Sequence, residues 1–396
     1  MEQCIVSIIF LSLIPIVSTT HFLGGTLRWR ILNSNNSNPV VVSIIQTYLW
    51  NESRYPCTSA QVASGTYTIP LTVANGANDK LDCVSASSTC PSNWNTIKPS
   101  IIPICTDSST VIGTTVSQRS DNVTLKANVS FVIAFQDQAW ADLNGPGSGA
   151  VNTGATWSIS TWINLIPRSD TGLYNNPPVS TMMSPITIVR GVKQTIQIPI
   201  ADPEDDVVRC RWANSTNECA DVCPPASLPA FTQLLSNCTL LITGTHNNDW
   251  YAVTIEVNAE DFINSSSTTA MSSVPVQFLI HVVNPPVCTE QPEIIGIPTD
   301  QSCISVQVGI KFTTQIIAIN HCSNESVTIS DIATLSFPGV AKSNLVKYNS
   351  TVYYKNLTYT AIVPDLGVQV ICAMAYDRLI LLMFYFIEYI RLFLLL

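Results

Sequence analysis

The sequence predicts an all-β protein made of tandem β-sandwich modules, and three observations support this fold class. Apolar residues recur at every second position over long stretches of the chain. The thirteen cysteines fall into groups of one, four, four and four. Proline-rich junctions separate these groups. Period two is the spacing at which side chains alternate between the two faces of a strand, and disulfides staple small secreted domains.

The clearest alternation covers residues 123–135. Seven apolar residues occupy every second position there, namely Val123, Leu125, Ala127, Val129, Phe131, Ile133 and Phe135. The polar residues between them predict one strand with a core face and a solvent face, with the glycosylation sequon at Asn128 on the solvent face. Similar alternation at residues 196–200, 251–257, 276–282 and 368–374 predicts further strands.

The N-terminal residues 1–20 are expected to be a signal peptide. Residues 5–17 form an apolar run too short for a comfortable membrane span, and small polar residues follow it. An ordinary buried segment is the alternative reading. Ten N-x-Ser/Thr sequons downstream favour the secretory reading and a glycosylated surface. They lie at Asn35, Asn51, Asn122, Asn128, Asn214, Asn237, Asn264, Asn324, Asn349 and Asn356.

The charge composition argues against nucleic acid as a partner. Only 11% of residues are charged, and the formal net charge is −9. Phosphate neutralisation requires clustered Lys and Arg, which this chain lacks. Hydroxyl and amide side chains, together with glycans, are expected to keep such a surface soluble in an extracellular or cell-surface setting.

Two proline junctions divide the chain into modules. Residues 175–178 (NNPP) and 284–286 (NPP) interrupt the alternating pattern, and proline cannot donate to a strand ladder. The predicted modules are an N-terminal β-rich module at 21–176 and two further modules at 177–286 and 287–377. The second and third have the size of a cadherin-like and an immunoglobulin-like β-sandwich, respectively.

The C-terminal segment, residues 378–396, begins with Arg378, and its residues 379–396 are apolar apart from Glu388 and Arg391 near their centre. It is marginal in length for a single helical membrane anchor, and the two charges could pair on one helix face. Two readings stay open at this point: a membrane tether through residues 379–396, or the end of an incomplete fragment.

The cysteine groups predict disulfides that stay within each module. The twelve candidates are Cys57, Cys83, Cys90, Cys105, Cys210, Cys219, Cys223, Cys238, Cys288, Cys303, Cys322 and Cys372. Four cysteines allow three pairings, and spacing does not choose among them. The favoured hypotheses are Cys219–Cys223 with Cys210–Cys238, and Cys288–Cys303 with Cys322–Cys372.

An acidic group in the middle module is a candidate calcium site. Asp202, Glu204, Asp205 and Asp206 follow an alternating stretch, and Asp261 lies with Asn258 and Glu260 after a later one. Ca²⁺ takes six to eight oxygen ligands, which carboxylates from two loops at one pole could supply. The alternative is a solvated turn in which Asp and Pro serve backbone geometry.

The middle module resembles the dystroglycan-type cadherin-like repeat. Residues 198–212 (IPIADPEDDVVRCRW) and 244–262 (GTHNNDWYAVTIEVNAEDF) carry the likeness, with a D-P-x-x-D turn early and a G-T-x-x-x-D-x-Y pattern late. The D-x-N-D-N linker of cadherins proper is missing. More broadly, residues 21–29 (HFLGGTLRW) and 175–213 resemble the N-terminal region of large uncharacterised extracellular proteins of invertebrates. This likeness implies a secreted or cell-surface multidomain setting.

No catalytic motif appears, and the expected function is a structural or adhesive, non-catalytic one. There are four histidines, His21, His246, His281 and His321, and the chain has no G-x-S-x-G elbow, no H-E-x-x-H motif and no Cys-His pair in a recognisable context. Loops of the sandwiches would be presented to a protein or glycan partner that the sequence does not identify. A calcium-dependent adhesion module and a secreted enzyme are the alternatives. Apart from calcium, no cofactor is expected.

Overall fold

The computed structural model describes residues 21–33, 37–71, 79–144, 151–180, 182–257, 270–288, 290, 292–297, 303–324, 326–362, 367–377 and 390–395. The signal peptide predicted at residues 1–20 lies outside them. The three helices are α1 (Ser59–Ser64), α2 (Trp94–Ile97) and α3 (Thr216–Cys219). The described chain is otherwise strands and loops, which confirms the all-β prediction.

The strands of the first predicted module are β1 (Phe22–Ile31), β2 (Val40–Asn51), β3 (Asp82–Cys83), β4 (Ile104–Ser109), β5 (Thr114–Leu125), β6 (Ser130–Gln138), β7 (Leu143–Asn144), β8 (Val151–Asn152) and β9 (Thr156–Asn164). Those of the second are β10 (Val179–Ser180), β11 (Ile186–Val189), β12 (Lys193–Gln197), β13 (Ile200–Ala201), β14 (Arg211–Trp212), β15 (Gln233–Leu234), β16 (Thr239–Thr243), β17 (Trp250–Val257) and β18 (Val274–Val283).

The strands of the third are β19 (Glu293–Ile297), β20 (Cys303–Gln307), β21 (Lys311–Ile319), β22 (Ile329–Leu335), β23 (Ala341–Lys342), β24 (Val346–Lys347), β25 (Val352–Thr360), β26 (Gly367–Asp377) and β27 (Ile390–Leu395). They form a five-stranded sheet in the order β19-β21-β25-β23, with β24 also on β25, and a four-stranded sheet in the order β20-β27-β26-β22. A core that includes Ile316, Ile332 and Phe337 lies between them.

One eight-stranded sheet joins the first two predicted modules. Its order is β14-β17-β18-β1-β2-β5-β4, and β11 pairs in parallel with β18. The antiparallel contact of β1 with β18 runs from Gly24 opposite Phe278 to Thr26 opposite Val276. Gly24 permits this approach because a Cβ there would stand 2.2 Å from the Gln277 carbonyl oxygen. The chain therefore passes from one predicted module to the next within a single sheet.

The shared strands bury both faces. Ala252 and Leu279 belong to the core of the first module, whereas Tyr251 and Phe278 belong to that of the second. The sheet of β3, β6 and β9 contributes to the first core, and β12 and β16 contribute to the second. Coverage on both sides explains why nearly all of β18 is buried and why most of its residues are apolar.

The single strand predicted over residues 123–135 is wrong, because it consists of two strands. β5 ends at Leu125 and β6 begins at Ser130, and the two strands pair in different sheets. Asn128 stands between them at φ 60°, a left-handed conformation that Asn tolerates, and its N–H donates to the Leu165 carbonyl. The apolar spacing of every second residue continues through the turn between β5 and β6, because both strands point their alternate residues into the same core.

The first proline junction is packed inside the molecule. Tyr174, Asn175 and residues 177–180 are buried, and Asn176 is half-buried. The Ile31 N–H donates to Asn176 Oδ1 at 2.8 Å, which attaches the junction to the end of β1. The second junction differs, since Asn284 and Pro285 are exposed.

Part of the C-terminal segment forms a strand where the anchor reading considers a helix. β27 pairs in parallel with β20 and antiparallel with β26. The remaining residues of 378–396 lie outside the description. Within the described part of the chain, no helix has the length and apolar character needed to cross a membrane.

Candidate functional site

The acidic loop that follows β13 is organised around the side chain of Asp202. Its Oδ1 accepts hydrogen bonds from the N–H of Glu204 at 2.8 Å and of Asp206 at 3.0 Å. A carboxylate that binds backbone N–H groups two and four residues ahead closes a tight turn. Asp205 occupies the left-handed region at φ 58°, which Asp tolerates. The loop is therefore a structured turn, and its Asp202 is buried where the turn reading of the sequence expected a solvated loop.

Three of the five predicted calcium ligands lie together. One carboxylate oxygen each from Asp202, Glu204 and Asp206 falls within a mutual distance of 4.8 Å. Asp205 is exposed and does not belong to this group. Asp261, with Asn258 and Glu260, lies outside the described residues. Asp202 is 7% exposed, and its second oxygen, Oδ2, is buried without a hydrogen-bond partner.

A cation from the first module occupies one side of this group. The Arg168 guanidinium binds both carboxylate oxygens of Asp206, with Nη2 to Oδ1 at 2.8 Å, and both side chains are 7% exposed. It also binds Asp170, with Nε to Oδ1 at 3.0 Å. Hydrogen bonds to Asp170 and Asp206 raise the pKa of Arg168 above its ordinary value, so it stays charged. The same contact lowers the pKa of Asp170.

Glu204 is held by an amide instead of a charge. Asn176 Nδ2 donates to Glu204 Oε1 at 2.7 Å. Loss of solvent around the carboxyl raises the pKa of Glu204, and the neighbouring Asp202 carboxylate adds to the rise. In this loop, Asp206 forms an ion pair with Arg168, and the Glu204 carboxyl protonates more readily than a free glutamate.

Sequence reasoning missed Arg168 and Asn176, the two side chains that connect this loop to the first module. They stand 38 and 28 residues from their partners. Local composition carries no signal for such contacts. The only hint was the NNPP junction, which the sequence analysis treated as a linker between modules.

The structure contains five disulfides among the described cysteines. Cys219–Cys223 and Cys210–Cys238 are the favoured pairs of the second module. The first module, where no pairing was preferred, has Cys57–Cys105 and Cys83–Cys90. Each of these bridges joins cysteines of one predicted module.

The favoured pairing in the third module is wrong. Cys288 is bonded to Cys322, so neither Cys288–Cys303 nor Cys322–Cys372 forms. Cys322 follows β21, and the antiparallel β19–β21 pairing brings it next to the start of β19, near Cys288. Cys372 is fully buried on β26, and the side chain of Cys303 lies outside the description.

Eight of the ten sequons fall on described residues, and none of these eight asparagines is buried. Asn122, Asn128, Asn214, Asn237, Asn324 and Asn349 are exposed, and Asn51 and Asn356 are half-buried. Asn35 and Asn264 lie outside the description. At Asn51, Asn324 and Asn349 the hydroxyl and N–H of the third sequon residue bind the asparagine Oδ1. In this turn the hydrogen bonds go to the asparagine oxygen. The Nδ2 atom, which carries a glycan when the sequon is used, takes no part in them.

The histidines occupy separate places. His21 is buried in an aromatic cluster and stacks on Trp50 at 5.7 Å between ring centroids. His281 stacks on Trp250 at 4.1 Å, and burial lowers the pKa of His281 to about 4. His321 lies beside Glu293 in the third module.

A long loop of the second module presents an exposed aromatic side chain. Phe231 is 96% exposed and lies between Cys223 and Cys238, each of which belongs to a disulfide. The Thr232 N–H and hydroxyl both bind the Pro229 carbonyl, which holds the tip of the loop in a turn. Phe231 is the most exposed of the large apolar side chains among the described residues.

Comparison with known proteins assigns no family. No family model matches the chain, and no curated protein matches it. Among solved structures, it is 13% identical to an endo-fucoidan hydrolase from glycoside hydrolase family 107, with a TM-score of 0.18 over 80% of this chain and 39% of that one. The chain thus spans about two fifths of the length of that enzyme.

Two structures with immunoglobulin domains are also similar. The N-terminal eight Ig domains of Down Syndrome Cell Adhesion Molecule share 12% identity, with a TM-score of 0.16 over 89% of this chain and 41% of that one. Dpr2 Ig1-Ig2 in complex with DIP-Theta Ig1-Ig3 shares 9% identity, with a TM-score of 0.18 over 93% of this chain and all of that one. Scores of this size support no argument about function.

Proposed function

We propose that this protein is an extracellular or cell-surface glycoprotein with a structural or adhesive, non-catalytic role, in which braced β-sandwich loops contact a protein or glycan partner. The exposed Phe231 on its disulfide-braced loop is the observation that carries the proposal. Aromatic side chains are among the most frequent anchors of protein contacts, and a rigid loop loses little entropy when it binds.

The disulfides and sequons support the proposed compartment. Five disulfides form and persist in an oxidising environment such as the secretory pathway. The accessible sequons would add glycans to a surface that has few charges.

Expression of the full chain in cultured animal cells tests the compartment. We expect material in the secretory pathway that loses mass after treatment with peptide N-glycosidase. Glycopeptide analysis should find Asn324 and Asn349 occupied, because both are exposed and hold the turn described above. Unglycosylated protein in the cytosol would contradict the proposal.

The contact role is tested with beads coated with the purified full chain, assayed for adhesion to one another and to cultured cells. We expect Phe231→Ser to weaken adhesion by about tenfold or more, since hot-spot aromatics contribute ~2 kcal/mol or more. Leu173→Ser, at another exposed apolar residue, is the matched control and should leave adhesion unchanged. Equal adhesion by both variants would contradict the role of the loop.

A calcium-dependent version of this function is the second candidate. It is favoured by the buried, unpartnered Asp202 Oδ2 beside two further carboxylates, since hard oxygen ligands suit Ca²⁺. The Arg168 contact with Asp206 opposes it, because the guanidinium already neutralises one of the three carboxylates. Thermal unfolding measured with Ca²⁺ and with a chelator tests this candidate. A higher melting temperature in Ca²⁺ that Asp202→Asn abolishes would support calcium binding, and equal melting temperatures would contradict it.

A further inference from the structure

The side chain of Arg28 lies inside the protein on the face of β1 opposite the first core. Leu27 and Trp29 point into that core, so Thr26 and Arg28 point to the other side of the sheet. This second face is covered as well, because Arg28 is 6% and Thr26 is 4% exposed. Folding therefore removes most of the Arg28 side chain from contact with water.

Nothing in the described part of the chain compensates the charge of Arg28. Among the charged groups of the described residues, the one that acts on Arg28 is the cationic Arg30, which repels it. Burial, followed by the repulsion from Arg30, lowers the pKa of Arg28 to about 9. It is still a cation at neutral pH. Folded proteins ordinarily avoid a buried charge without a counter-charge, because the charge loses its hydration and gains no partner.

A small cavity adjoins this guanidinium. It has a volume of about 20 Å³, and it is lined by Thr26, Arg28, Thr47, Gln118, Ser180 and Ser336 among others. The Thr26 hydroxyl is buried there and has no hydrogen-bond partner. One water molecule needs about 10–15 Å³ on this measure, so the cavity accommodates one guest of atomic size.

We propose that this cavity binds a single chloride-sized anion, held by the Arg28 guanidinium and the Thr26 hydroxyl. Each alternative guest fails on charge or size. A water molecule satisfies hydrogen bonds and leaves the charge in place. A metal cation is repelled by Arg28, and a tetrahedral oxyanion with its five heavy atoms is too large. A halide accepts hydrogen bonds from both donors and neutralises the cation.

The cavity lies where all three predicted modules meet. Thr26, Thr47 and Gln118 face one another across β1, β2 and β5, since Thr26 pairs with Thr47 and Thr47 with Gln118. Ser180 comes from the second module, and Ser336 comes from the third. An anion bound here would contact residues of more than one predicted module, so its binding energy would stabilise the folded arrangement of the junction.

The melting temperature of the full chain, measured in sodium chloride and in sodium gluconate at equal ionic strength, tests the site. Gluconate is too large for the cavity, and equal ionic strength removes general screening. We expect the wild-type protein to melt roughly 2 °C or more higher in chloride. Arg28→Met should melt at the same temperature in both salts, and Lys126→Met, which removes an exposed cation, should keep the wild-type difference.

The line width of the chloride NMR signal gives an independent readout. Wild-type protein should broaden the signal, bromide should compete, and Thr26→Val should weaken the affinity about fivefold or more by removing one donor. Thr26→Val serves as the test if Arg28→Met does not fold. Wild-type protein that shows neither a chloride-dependent melt nor excess broadening would overturn the proposal.

Discussion

The two Nη atoms of Arg168 donate hydrogen bonds to the two carboxylate oxygens of Asp206. This ion pair connects the end of the first predicted module to the acidic loop of the second. The first two predicted modules are therefore joined by hydrogen bonds between side chains as well as by the shared sheet. Asn176, bound to both Ile31 and Glu204, lies beside the ion pair and adds a second connection through its uncharged amide.

Removal of one partner of this ion pair is expected to destabilise the protein strongly. Arg168→Met or Asp206→Asn should each cost about 3 kcal/mol in the free energy of unfolding, because the partner left behind is nearly buried. The double variant should cost less than the sum of the two. Denaturant unfolding measures all three. Asp170→Asn is the control at a more exposed carboxylate and should cost below about 1 kcal/mol. Additive single losses would show that the pair is not coupled.

Gly24 is expected to be intolerant of a side chain. A Cβ would collide with the Gln277 carbonyl at 2.2 Å, and φ is +141°. Gly24→Ala should therefore separate β1 from β18 and cost about 3 kcal/mol or more. Gly154→Ala is the matched control, since Gly154 also has a positive φ but no atom within 4 Å of its Cβ. It should cost about 1 kcal/mol. Equal melting temperatures for the two variants would contradict the proposed packing at Gly24.

The Cys288–Cys322 bridge should be recovered by peptide mapping of the unreduced protein. A cross-linked peptide containing both residues is expected. Cys288→Ser with Cys322→Ser should lower the free energy of unfolding of the third module by about 3 kcal/mol, because a loop of 34 residues is released. The corresponding double change at Cys219 and Cys223 releases a loop of only 4 residues and should cost less. A peptide joining Cys288 to Cys303 would show that this assignment is wrong.

His281 is expected to make the protein less stable in mild acid. Its pKa in the folded state is lowered from 6.5 to about 4 by burial. Between these values the unfolded chain binds more protons than the folded one, so stability falls as the pH decreases from about 6.5 towards 4. The loss is at most about 3 kcal/mol, since one pKa unit corresponds to about 1.4 kcal/mol.

Unfolding measured across that pH range checks this expectation. His281→Gln should flatten the pH dependence relative to wild type, whereas His321→Gln leaves His281 in place and should keep it. The Trp250 fluorescence should report the change because its ring stacks on His281. Identical slopes for wild type and His281→Gln would contradict the assignment.

The local patterns of the sequence predicted those features of the structure that depend on residues close together in the chain. Five of the seven apolar residues from Val123 to Phe135 are buried, and Ala127 and Val129 are half-buried, because successive side chains of a strand alternate between its two faces. The alternation did not reveal the corner at Asn128, because the same period continues through two strands of different sheets. The acidic turn at Asp202 was likewise recognisable from Asp and Pro, whereas its contact with Arg168 was not.

The sequence by itself determined the all-β class, most of the positions that face a core and the turn at Asp202. Tertiary structure decided that β1 and β18 share a sheet, that Cys288 bonds to Cys322, and that Arg28 is enclosed beside a cavity. Side-chain period and turn chemistry act over a few residues and can be read along the chain. Strand partners, the coverage of a sheet face and the environment of a charge depend on packing between segments far apart in sequence, and only the assembled sheets establish them.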